Sequence, residues 1–93
     1  MDDDLMARQL VRAVQEDLRL WLNVPRLEPE LIANLYLRIR DILRRDGALD
    51  ELALAVYLTA TAWQPSVPES ASVIPTLRRD LETVINAKGE NNP

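Results

Sequence analysis

The sequence predicts an all-α protein: a single-domain four-helix bundle or an orthogonal packing of four helices. Three observations lead there. Apolar residues recur at helical spacing in four separate segments. Those segments are bounded by prolines, glycines and capping residues. The 93 residues, 47% hydrophobic and 28% charged, have a globular composition with room for one core.

The first helix is expected over about residues 4–23. On a 3.6-residue wheel Met6, Leu10, Val11, Val14, Leu18, Trp21 and Leu22 share a face, opposite Arg8, Arg12, Gln15, Glu16 and Arg19. Asp17 sits at the stripe's edge, and Leu5 and Leu20 lie outside it. Asp2, Asp3 and Asp4 complement the positive end of the helix dipole. Pro25 interrupts the chain, because proline has no N–H to continue a helix.

The second helix is expected over about 28–46. Pro29 occupies its first turn, and Leu27 and Ile32 have the spacing of a hydrophobic staple. Leu31, Ile32, Leu35, Tyr36, Ile39, Ile42 and Leu43 form its apolar face. Gly47 is expected to supply a left-handed residue at its end.

The third helix, about 50–63, takes Asp50 as its N-cap. It has no charge after Glu51, and both of its faces are apolar: Leu49, Leu52, Val56, Ala60 and Trp63 on one, Leu54, Ala55, Leu58 and Ala62 on the other. The alanines, the capping residue and the want of a partner strand favour helix over a strand at Val56 to Trp63.

A loop carrying Pro65 and Pro68 leads to the fourth helix, about 72–88. Val73, Ile74, Leu77, Leu81, Val84 and Ile85 share its apolar face, and Pro75 falls in its first turn. Residues 89–93 are expected to form a frayed tail after Gly89.

Composition narrows the chemistry. Without cysteine there is no disulfide, thiolate metal site or cysteine nucleophile. Without histidine there is no imidazole base or ligand, and a serine nucleophile lacks its usual activator. Two glycines cannot build a phosphate-binding loop. The carboxylates Asp46, Asp50 and Glu51 lack the ligand pattern of a calcium loop and read as helix-end charges. No catalytic, cofactor or metal residues are therefore expected, and no enzyme.

The acidic Met1-Asp2-Asp3-Asp4 start is unlike a signal peptide, and no apolar run approaches the roughly 20 residues a bilayer requires. A cytoplasmic, acidic small protein that does not enter membranes is expected.

Two surfaces are candidates for contact. A surface helix should have a polar side, and the third helix has almost none. Either it is central and covered all round, or Leu54, Ala55, Tyr57, Leu58, Ala62 and Trp63 form a partner interface. The second candidate is a ridge of Arg38, Arg40, Arg44 and Arg45 on the polar side of the second helix, with Leu37 among them. Such a ridge suits anions or an acidic partner. It stands within a net charge of −4, and no aromatic platform accompanies it.

The leading expectation is a protein–protein interaction module, namely an adaptor, inhibitor or assembly subunit that forms a homo-oligomer through the third helix. The alternative is a nucleic-acid-associated regulator using the arginine ridge.

Overall fold

A computed structural model describes residues 3–63 and 70–90. It is all-α, with helices α1 (Asp3–Leu22), α2 (Pro29–Arg44), α3 (Leu49–Trp63) and α4 (Ser70–Glu90). α1 packs on α2, α2 on α3, α3 on α4, and α4 back on α1, the arrangement of a four-helix bundle. The described residues contain no strand. The expected loop at 64–69 and the tail at 91–93 lie outside them, as do Met1 and Asp2.

The core follows from the helical period. Leu10, Val14 and Leu18 of α1, Leu31, Leu35 and Ile39 of α2, Leu52 and Val56 of α3, and Val73, Leu77 and Leu81 of α4 are almost fully buried. Fully burying one leucine-sized side chain contributes about 1.5–3 kcal/mol. No polar or charged residue joins this core among the described residues. Ala7, Ala53 and Ala60 are also fully buried, where a short side chain permits close approach between helices. Leu27 is buried and Ile32 packs against the core, as the staple spacing predicts.

α1 and α2 end the same way. Asn23 (φ 57°) and Asp46 (φ 54°) adopt the left-handed conformation. At the first end, the Asn23 and Val24 amides donate to the Leu20 and Arg19 carbonyls. At the second, Asp46 donates to Leu43 and Gly47 to Ile42. Both are Schellman closures, and Asn and Asp tolerate the required conformation better than other non-glycine residues.

This corrects the expectation for Gly47, which stands one residue too late to be the left-handed position. Gly47 answers a need for space: a Cβ there would collide with the Ile42 side chain and lie 2.7 Å from a Glu51 carboxylate oxygen. The Asp50 expectation also changes. α3 begins at Leu49, so Asp50 lies in its first turn rather than capping it. At the fourth helix, the start at Ser70 puts Pro75 inside the helix, beyond its first turn, and the helix runs through Gly89 to Glu90. Proline at that depth removes the N–H that would meet the Ala71 carbonyl, while Val73 and Leu77 on either side of it are buried.

Candidate functional site

α3 turns out to be neither wholly covered nor wholly open. Leu52, Ala53, Val56 and Ala60 enter the core, whereas Leu54 is 45% exposed and Leu58 54% exposed. Both follow from where α3 sits. It packs against α2 and α4, which cover one side of a helix that is apolar on both.

The uncovered side meets α2 along an open groove of about 810 Å³. From α3 come Leu54, Ala55, Leu58, Thr59, Ala62 and Trp63; from α2 come Asn34, Leu37 and Arg38. Leu37 is 48% exposed and Trp63 is 38% exposed, so large apolar side chains line both walls. Thr59 donates its hydroxyl to the Ala55 carbonyl at 2.7 Å, which ties that polar group to its own helix.

The groove's charged side chains are Arg38, Asp41, Arg45 and Glu51. Arg45 reaches Glu51 at 2.6 Å and Asp41 at 3.6 Å. The Glu51 hydrogen bond is the main cause holding the Arg45 guanidinium's pKa above its ordinary value. These ion pairs close the α2–α3 corner, where Gly47 brings the chain close to Ile42.

Of the six residues expected to form an interface on α3, the groove brings together Leu54, Ala55, Leu58, Ala62 and Trp63. Tyr57 is not among its lining; it is half-buried and packs against the core. Leu37 was not placed with the apolar surface by sequence reasoning. Its signal was present, as a leucine among the arginines of the polar side of α2, but only the position of α3 makes it part of a groove.

The expected arginine ridge divides in two. Arg38 and Arg45 turn to the α2–α3 groove. Arg40 and Arg44 turn towards α1, where they lie 3.8 Å and 3.6 Å from an Asp4 carboxylate oxygen. Asp4 opens α1 and the arginines close α2, so these helices run antiparallel. The Arg40 guanidinium also lies 5.4 Å from the centre of the Tyr36 ring, within cation–π range. Among the described residues, three of the four ridge arginines thus have a carboxylate within 4 Å.

Two of the expected carboxylates, Glu51 and Asp50, are engaged in ion pairs. Asp50 accepts a hydrogen bond from Arg78 of α4, which joins α3 to α4. A feature not anticipated is a meeting of two carboxyl groups, Asp17 of α1 and Asp80 of α4. Partial burial and then the neighbouring Asp17 carboxyl push the Asp80 carboxyl up to about 7.

No described helix is long and apolar enough to cross a membrane. No protein-family model, curated protein or solved structure compared with the chain matches it.

Proposed function

We propose that this protein is a small interaction module that associates with a second copy of itself through the α2–α3 groove. The observation that carries this reading is the set of large apolar side chains along that groove, with Leu37, Leu54, Leu58 and Trp63 all exposed. Contiguous exposed apolar surface on a small domain marks a contact site.

The choice of a second copy rests on charge. Around a two-fold axis each patch meets an identical patch, so a net charge would face itself and repel. The groove as a whole carries two arginines, Arg38 and Arg45, against two carboxylates, Asp41 and Glu51. That balance removes the penalty for self-pairing. It gives no special attraction to a strongly acidic or basic partner. Ala55 and Ala62 permit close approach of another helix between the leucines. In this reading the chain binds protein in the cytoplasm and carries no catalytic chemistry of its own.

Nucleic-acid binding by the ridge finds less support, since Arg40, Arg44 and Arg45 already face carboxylates. Those pairs reduce the free positive charge that phosphate contacts require.

Light scattering coupled to size-exclusion chromatography tests the reading. The wild-type chain is expected to elute as a dimer, and Leu58→Glu as a folded monomer. Leu58 is exposed, so the substitution should leave helicity and cooperative melting intact in the monomer. A wild type that stays monomeric at high concentration, or a Leu58→Glu variant that stays dimeric, overturns it.

A further inference from the structure

We infer that a second groove, between α1 and α2, is a docking site for an acidic amphipathic helix of another protein. This surface shares no lining residue with the α2–α3 groove. It is smaller, about 430 Å³, and is built chiefly from Arg8, Val11 and Arg12 of α1 and Ile32, Ala33 and Tyr36 of α2.

Two features define what fits. The floor is apolar: Val11 is buried at its base, while Ile32 and Tyr36 are half-buried and pack against the core. The α1 rim is basic. Arg8 and Arg12 are both exposed and stand one helical turn apart. Neither has a carboxylate oxygen within 4 Å among the described residues, whereas Arg19, Arg40, Arg44, Arg45 and Arg78 each do. Among the described residues no ion pair therefore offsets the charge of this rim, in a chain whose net charge is −4. No carboxylate lines the groove.

Charge complementarity then selects the occupant. Carboxylates one turn apart on a partner helix match the repeat of Arg8 and Arg12, and arginine pairs with carboxylates through two parallel hydrogen bonds. An apolar side chain on the same helix would enter over Val11 between Ile32 and Tyr36, the helix-in-groove mode of recognition. A nucleic acid would also meet the arginines, but the apolar floor gives its backbone nothing to pair with, and the remaining acidic surface repels it.

The test titrates the isotope-labelled full chain with a synthetic helical peptide that carries leucines along one face and glutamates flanking them at one-turn spacing. Nuclear magnetic resonance should show amide shifts centred on Val11 and Ile32. Arg8→Gln/Arg12→Gln should weaken binding about tenfold. Both arginines are exposed, so the spectrum of the unbound variant should otherwise match that of the wild type. A control peptide with lysines in place of the glutamates should not bind. Absence of shifts, equal binding of the lysine peptide, or shifts centred on Leu54 and Leu58 would each overturn the inference. Binding of a single-stranded oligonucleotide at the same residues, without binding of the acidic peptide, would also overturn it.

Discussion

The α2–α3 and α1–α4 seams share no helix, and their edges are built in opposite ways. At the first, Arg45 bridges Asp41 and Glu51, so opposite charges hold the corner while Leu37, Leu54 and Leu58 stay open beside it. At the second, two carboxyl groups meet, and one of them holds its proton to about pH 7. Apolar exposure costs little in a folded monomer and becomes useful only on association. A like-charge contact costs stability whenever both groups ionise. The first seam therefore leaves apolar surface open to solvent, and the second makes folding sensitive to pH.

The largest contrast lies within the leucines beside the first seam. Leu35→Ala removes a fully buried side chain and should cost about 2–5 kcal/mol, read from urea denaturation. Leu54→Ala, at dilution low enough to keep the chain monomeric, should cost less than about 0.5 kcal/mol. Comparable losses at both positions would mean that Leu54 is covered within one chain, and the groove would disappear with that result.

Next in size is the second seam. The unfolded chain gives up the Asp80 proton near the ordinary 3.8, whereas the folded chain holds it to about 7. Folding therefore binds a proton across that window. This pair's contribution is most favourable below the lower value and is lost as pH rises through the upper one. Asp80→Asn should stabilise the protein at pH 7.5 by on the order of 1 kcal/mol, because solvent screens a partly exposed pair, and should change little at pH 3.5. Melting curves of the two proteins across that range would show the gap open with rising pH. A constant gap would mean that neither burial nor the Asp17 carboxyl raises the Asp80 pKa.

The smallest effect belongs to the ion pairs of the first seam. Arg45→Gln is expected to leave the melting temperature nearly unchanged and to remove what little salt dependence the corner has. A large loss would instead assign the corner a structural role that surface pairs rarely have. Glu16 differs from Asp80 in sign: its hydrogen bond from Arg19 holds its carboxyl below the usual range. Its contribution is present at neutral pH and lost as pH falls.

The stripes on α1, α2 and α4 were legible because each of those helices is apolar on one side only. Leu10, Leu35 and Leu77 could face only inward. The residue that closes α2 was harder to read. Gly47 is the only glycine near the end of α2, yet Asp46 takes the left-handed position and Gly47 yields room to Ile42. Conformational preference is a local property, whereas a clash with a side chain five residues back depends on how the turn closes. The Asp17–Asp80 contact was beyond sequence reasoning for a similar reason, since the two residues belong to helices at opposite ends of the chain.

The sequence by itself determined that four helices form, which stripes of α1, α2 and α4 make the core and which chemistries are unsupplied, because period, capping and composition act within a few residues. Only the tertiary structure decided which side of α3 stays open, how the arginines of α2 divide between two neighbours, and where two carboxyl groups meet. α3 is apolar on both sides, so its own pattern could not choose an orientation; the placement of α2 and α4 around it made the choice.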